Sequence, residues 1–358
     1  MKIIQMLPTL AFGDAVGNDT LALMQVIKEM GYETGIYAES TDARIKDKDI
    51  KPAYKVPYMK TEDILIYHMS IGSQLTYEIE NFQCRKIMIY HNVTPYKFFE
   101  PYNSFAAAAC EEGIKQVQYL ADKFDYCLAD SEFNKRELIR MGYKCPVDVL
   151  PILIPFEDYK KTPAKSVLKR YRDDYANILF TGRIAPNKKQ EDIIKTFYYY
   201  KKYINPKSRL FLAGSYYGME NYYHSLKAFV ERLKLEDVSF TGQIKFNEIL
   251  AYYQLADVFL CMSEHEGFCV PLAEAMAFEI PIIAYDSSAI GYTLGGSGLL
   301  LKEKDHKVAA EMIHQLISKA TLKETIVHNQ NIRLKDFQHD AIKAQFIKYI
   351  KAFIGEGK

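Results

Sequence analysis

Glu266 and Glu274 stand eight positions apart in Ser263-Glu264-His265-Glu266-Gly267-Phe268-Cys269-Val270-Pro271-Leu272-Ala273-Glu274-Ala275-Met276-Ala277. A strand pattern, Asp257–Met262, runs into the glycine turn, and a helical pattern starts near Val270 with Pro271 in its first turn. Free backbone N–H groups from Gly267 to Leu272, those of Gly267, Phe268, Cys269 and Val270 among them, therefore point beyond the strand's carboxyl end, where an anion or sugar hydroxyls can be held. At the helical rise the two carboxylates lie roughly 10 Å apart. A retaining hydrolase pair needs about 5 Å, so this spacing suits gripping hydroxyls at two ends of an extended ligand. An isolated pair at this spacing would be ordinary surface; its strand–turn–helix setting is what favours chemistry.

A second constellation is Phe180-Thr181-Gly182-Arg183-Ile184-Ala185-Pro186-Asn187-Lys188-Lys189. The strand pattern Asn177–Thr181 delivers Gly182 and Arg183 to a strand end, and Lys188 opens the next helical stretch. A forked guanidinium with a point-charge ammonium is a clamp for a diphosphate. Three weaker candidates lie in the first half. Gly13-Asp14-Ala15-Val16-Gly17 joins the first strand to the first helix without the third glycine of a dinucleotide fingerprint or the Lys of a P-loop. For Gly13 and Gly17 a sharp turn competes with a binding role. His91, in Tyr90-His91-Asn92-Val93-Thr94-Pro95, and His68, in Tyr67-His68-Met69-Ser70, each end a strand pattern. His68 is assigned to acceptor contact, although a lone strand-end histidine is more often structural.

The elements that must position these residues alternate along the chain. Strand patterns fall at Lys2–Leu7, Gly35–Ala38, Ile64–His68, Lys86–His91, Tyr126–Ala129 and Val147–Ile152, then at Asn177–Thr181, Arg209–Ala213, Val238–Thr241, Asp257–Met262 and Pro281–Tyr285. Helical patterns between them include Asp19–Met30 and Ser131–Met141, each closed by glycine, then Lys188–Tyr203, Glu220–Leu235, Phe246–Leu255 and Val270–Phe278. Such alternation predicts an α/β protein with parallel sheets covered on both faces. A proline-bearing, charged stretch, Pro151–Asp174, divides the halves. The expected domains are 1–160, joined by a returning C-terminal helix in 339–358, and 161–338. Two Rossmann-like, doubly wound domains facing each other across a cleft would bind ligands beyond their strand ends.

With 358 residues, the chain is too long for one ordinary core. Lys and Arg number 46 against 45 Asp and Glu, so no net field draws it to nucleic acid. Six cysteines form no Cys-x-x-Cys pair, which leaves zinc-ribbon and thioredoxin-type sites unsupported and fits free thiols of a reducing, cytoplasmic compartment. No apolar run reaches the roughly 18 residues of a membrane span.

Together the two constellations resemble the retaining glycosyltransferases of family 4, which have the GT-B fold. That family carries G-R-[LI]-x-x-x-K and, about eighty residues later, S-x-x-E-G-F-x-x-P-x-x-E-A-M-A-x-x-x-P; residues 182–188 and 263–281 match in order and spacing. The resemblance implies that Arg183 and Lys188 neutralise the donor diphosphate, Glu266 holds hydroxyls of the transferred hexose and Glu274 holds the ribose. Backbone around Gly267, Phe268, Cys269 and Val270 would reach the donor sugar, and His91 would face it. The Gly13–Gly17 loop would close on donor phosphates and acceptor. Two departures stand out: the family's glycine after the clamp lysine is Lys189 here, and its helix-ending glycine is Glu279.

The implied activity is hexose transfer from a nucleoside-diphosphate sugar to a hydroxyl acceptor, with retained configuration, in polysaccharide or glycoconjugate assembly. The implied chemistry is front-face attack without a covalent nucleophile, and no cofactor or metal is expected. The competing readings are a catalytically silent subunit bound to a partner transferase, and a sugar-nucleotide epimerase or phosphorylase on the same fold. Peripheral contact with the inner face of a membrane and self-association stay open as partnerships.

Overall fold

The computed structural model describes residues 1–356. Strands β1 (Ile3–Leu10), β2 (Ile36–Thr41), β3 (Ile50–Pro52), β4 (Ile64–Met69), β5 (Arg85–Tyr90), β6 (Tyr126–Ala129) and β7 (Val147–Val149) form one sheet in the order β3-β2-β1-β4-β5-β6-β7. Strands β8 (Ala176–Thr181), β9 (Ser208–Ala213), β10 (Val238–Gly242), β11 (Val258–Cys261), β12 (Ile282–Tyr285) and β13 (Leu299–Leu301) form a second, in the order β10-β9-β8-β11-β12-β13. Every pairing in both sheets is parallel. Every residue of β4, β6, β8, β9 and β11 is buried, because helices cover both faces of a parallel sheet and leave no solvated side to alternate towards.

The chain divides into two compact units, Met1–Tyr96 with Ala107–Pro155 and the residues from Asp336 on, and Lys97–Ala106 with Phe156–Lys335. In the first unit, the helix Ala15–Glu29 and the C-terminal helix His339–Ile354 share one core. Leu23, Val26 and Ile27 meet Ile64, Ile66, Ile87, Leu128, Ile342, Phe346 and Ile350 there. Gln345 donates to the Val149 carbonyl at 2.7 Å, and the Phe353 ring lies 5.8 Å from that of Tyr126. In the second unit, the segment Lys97–Ala106 is bound by specific contacts. Asn103 donates to the Gly218 carbonyl at 2.6 Å, Asn221 donates to the Tyr102 carbonyl at 2.9 Å, and the Phe98 ring lies 6.3 Å from that of His265.

The sequence patterns find most of these elements. They miss β3 and β13, each three residues long, and the assignment of Lys97–Ala106 to the second unit. The first helix begins at Ala15, not Asp19: the Asp14 carboxylate accepts from the Val16 N–H at 2.7 Å and caps it there. The helix expected from Lys188 begins at Gln190, after a short 3-10 turn over Pro186–Lys188.

Candidate active site

In each sheet the strand order reverses once, between β1 and β4 in the first and between β8 and β11 in the second. Open parallel sheets bind ligands beyond the carboxyl ends of the strands at such a point, where neighbouring loops diverge. The sequence constellations fall on these two points. Gly182–Lys188 follows β8 and Ser263–Cys269 follows β11, while Gly13 follows β1 and His68 lies on β4.

At the second unit's reversal the two loops are tied together. The Asn187 side chain donates to the His265 carbonyl at 3.0 Å, and the Glu264 N–H donates to the Asn187 carbonyl at 2.8 Å. The Glu266 N–H donates to Ser288 Oγ at 2.8 Å, which fixes the turn from a third side. Lys188 Nζ then donates to Glu266 Oε2 at 2.5 Å, with side chains 21% and 7% exposed. Burial opposes the Lys188 ammonium, but Glu266 outweighs it and holds the lysine pKa above its ordinary value. Burial depresses the neighbouring His265 to about 4, so that ring is neutral beside them. Arg183 is exposed and donates to the Tyr217 carbonyl at 3.2 Å. Gly182 adopts φ 137, and a Cβ on Gly214 would sit 1.9 Å from its carbonyl oxygen, so both loops approach here only as glycines.

Beyond Gly267, Phe268 is buried and its carbonyl accepts from the Thr293 hydroxyl. Cys269 takes the left-handed φ of 72 as N-cap, and the helix Val270–Ala277 follows. Both oxygens of Glu274 on that helix are engaged: Oε1 accepts from the Tyr159 hydroxyl at 2.7 Å and Oε2 from Tyr253 at 2.6 Å, which leaves each a second lone pair. The Tyr253 hydroxyl also meets Thr181 Oγ1 at 2.6 Å, which links this helix to the end of β8. Burial raises the Glu274 pKa, and the two tyrosine donors work against that rise. Sequence reasoning missed Tyr159, Tyr253, Asn187 and Gly214; apart from Asn187, inside a motif already read, none carried a local signal. Lys189 and Glu279, the two departures from the family's glycines, have φ of 53 and 56. Both positions keep the backbone that glycine would have served.

The first unit's reversal is built differently. Gly13 turns with φ 76, but Gly17 lies inside the helix Ala15–Glu29, where a Cβ would approach the Ala11 carbonyl oxygen to 2.4 Å. Its role here is close packing of helix on loop, which corrects its expected place in an open loop. His91 and His68 are tied into a buried network. His91 Nδ1 meets Asp130 Oδ2 at 2.9 Å, His91 Nε2 meets His68 Nδ1 at 2.9 Å, and His68 Nε2 meets Gln5 Oε1 at 2.9 Å. All ring nitrogens are thus engaged, and the His91 side chain is 1% exposed. Sugar contact by His91 and acceptor contact by His68 require a different arrangement from this one. Burial pushes Asp19, alongside them, up to about 7.

Two groups of side chains offer metal-ligand atoms within 4.8 Å of one another: Asp19, His68 and His91, and Cys261, Glu266 and Cys269. At the latter, the Lys188 ammonium already supplies a cation to Glu266.

Two doubly wound units of seven and six parallel strands make this a GT-B protein. HepE of Anabaena, solved with UDP and glucose, superposes with a TM-score of 0.76 at 16% identity over 98% of this chain and 100% of that one. Sucrose-phosphate synthase of Thermosynechococcus elongatus gives 0.76 at 17% identity over the whole of both chains. Residues 165–333 match the family model for glycosyl transferases group 1. O-antigen chain mannosyltransferase B of Escherichia coli is 25% identical over 246 residues, 66% of this chain and 63% of that protein. The capsular polysaccharide biosynthesis glycosyltransferase CapM of Staphylococcus aureus is 30% identical over 112 residues, 30% of each. The matched stretch is thus under two thirds of either relative's length. Among the described residues, no helix is long and apolar enough to cross a membrane.

Proposed function

We propose that this protein transfers a hexose from a nucleoside-diphosphate sugar to a hydroxyl acceptor with retention of anomeric configuration. The observation that carries the reading is the meeting of Lys188 and Glu266 at the strand reversal of the unit that matches the family model. Arg183 and Lys188 are assigned to the diphosphate, Glu266 to hexose hydroxyls and Glu274 to the ribose. Glu266 and Lys188 hold each other; a donor would insert its own hydroxyls and phosphate between them. Backbone N–H groups from Gly267 to Val270, at the start of a helix, add fixed dipoles directed at the donor.

The step breaks the bond from the anomeric carbon to the diphosphate oxygen and forms one from that carbon to the acceptor oxygen on the same face. The acceptor's proton passes to the departing phosphate oxygen. Charge builds on the diphosphate, so Arg183 and Lys188 act mainly by electrostatic stabilisation, an assignment that requires no metal. The relatives' names support an acceptor in cell-surface polysaccharide or glycolipid assembly.

The test is release of nucleoside diphosphate from a panel of UDP-, GDP-, ADP- and dTDP-hexoses with saccharide acceptors. Turnover with one donor, reduced at least about a hundredfold in Arg183→Ala with folding intact, supports the assignment. Donor binding without turnover across the acceptor panel, or loss of folding equal to the loss of activity, contradicts it.

A further inference from the structure

The buried chain Asp130–His91–His68–Gln5 fixes its own proton count. Gln5 Nε2 donates to the Thr20 carbonyl at 3.0 Å, so its amide is oriented with Oε1 towards His68. An amide oxygen can only accept; His68 Nε2 must therefore carry a proton, and a neutral His68 presents a bare Nδ1 to His91. His91 Nε2, 2.9 Å away, must then donate. Its other nitrogen faces the Asp130 carboxyl at 2.9 Å, and Asp130 Oδ1 is buried without a partner. Two neutral imidazoles beside an ionised Asp130 would leave two bare lone pairs, Nδ1 of His68 and Nε2 of His91, in collision. One further proton is required in the His91 Nδ1–Asp130 Oδ2 bond, and imidazole is intrinsically the stronger base of the two partners.

We propose that His91 is an imidazolium held by Asp130 and His68, and that these two are positioning residues which keep the strand-end loops of the first unit in their working form. Groups around His91 on every side favour the cation. Asp130 ends β6, Asp19 comes from the helix Ala15–Glu29, Asp14 from the loop before it, and His68 from β4 supplies an acceptor nitrogen. Burial works against the charge and Asp130 outweighs it, with Asp19 adding to the effect as it ionises around pH 7.

The loops so gripped lead to two of the four points at which the chain passes between units. His91 is followed by Asn92, with φ 76 and a side chain that donates to Asn134 Oδ1 and Glu137 Oε2, each at 2.9 Å; five residues after His91 the first unit ends at Tyr96. Asp19 accepts from the Leu153 N–H at 2.8 Å, two residues before the passage that follows Pro155. Asp19, with His68 and His91, could instead hold a metal ion where the extra proton sits. The proton is favoured because the His68–His91 separation is that of a hydrogen bond.

The positioning role rests on the transferase reading; the proton does not. Nitrogen-15 NMR of the imidazoles in the full-length protein, without ligand and dialysed against chelator, reads the proton directly. The expected result is a doubly protonated His91 and an Nε2-protonated neutral His68 up to at least about pH 8. A neutral His91 at pH 7, or one equivalent of metal retained through dialysis, overturns it. With a donor in hand, Asp130→Asn and His68→Ala should lower kcat at least about tenfold with donor KM within about twofold, and should move the alkaline limb of the profile down by about one pH unit. His68→Asn, which restores an acceptor at the Nδ1 position, should stay within about threefold of wild type. An unshifted pH profile, or no rescue by asparagine, overturns the positioning role. Wild-type protein without transferase activity counts against the proposed function, and the imidazole signals still decide the proton.

Discussion

The two strand reversals use similar residue types to opposite ends. At the second, polar groups end in charges with exposed neighbours: Lys188 is 21% exposed, Arg183 is open to solvent, and a helix N-terminus follows the turn. At the first, Gln5, Asp19, His68, His91 and Asp130 are sealed, and the histidine nitrogens are consumed within the network. A polar cluster that spends its hydrogen bonds on itself specifies local structure; one that leaves charges at the rim can exchange partners with a ligand. Position beyond a strand end is therefore an incomplete guide to function, because it does not say where the hydrogen bonds go.

The sharpest break in the comparison is at Glu266. Glu266→Ala strands the Lys188 ammonium and should cost about 3 kcal/mol by denaturant titration. Combining Lys188→Met with Glu266→Leu should recover most of that stability and none of the turnover. Recovery of both would make the pair structural, like the histidine network.

Acidity separates the regions next, with opposite signs. His265 is depressed from 6.5 to about 4, so its contribution to stability is present above pH 6.5 and lost as pH falls through about 4. Asp19 is raised from 3.8 to about 7, so its contribution is full below pH 3.8 and lost as pH rises through about 7. Thermal melts across pH 4 to 8 should show Asp19→Asn gaining on wild type at the alkaline end and His265→Gln gaining at the acid end. Parallel shifts at all pH values would contradict both.

Tyr253→Phe removes the hydroxyl that joins Thr181 to Glu274 and should cost about 1–2 kcal/mol, with weakened nucleotide binding. A variant that loses stability alone would place Tyr253 with the sealed networks. The smallest change is a gain. Glu279→Gly relieves the left-handed backbone at an exposed residue, offset by glycine's chain entropy, and should stabilise by about 0.5 kcal/mol.

The donor-side motifs were legible because their chemistry is local. Gly182, Arg183 and Lys188 share one loop, Glu266 and Gly267 share one turn, and strand–helix alternation alone brings the two together. The same holds for the long apolar strands, whereas β3 has only Ile50-Lys51-Pro52 at a sheet edge and no period to read. Tyr159 and Tyr253 lie 115 and 21 residues from Glu274, and nothing near either announces the bond. His91 was read as facing a ligand because its strand-end position is visible in sequence, while Asp130, 39 residues on, and Gln5 are not visibly its partners. Lys189 and Glu279 illustrate the converse: a departure in residue type left the backbone conformation unchanged.

The proposed donor site lies at the second unit's strand reversal. Thermal unfolding of wild type, Glu274→Ala and Asp130→Asn with UDP, GDP, ADP and dTDP, alone and as hexose conjugates, tests it most directly. The expected result is a rise in Tm with one base, larger with one sugar, abolished in Glu274→Ala and retained in Asp130→Asn. A shift that survives Glu274→Ala but vanishes in Asp130→Asn would move the donor to the first unit and contradict the claim.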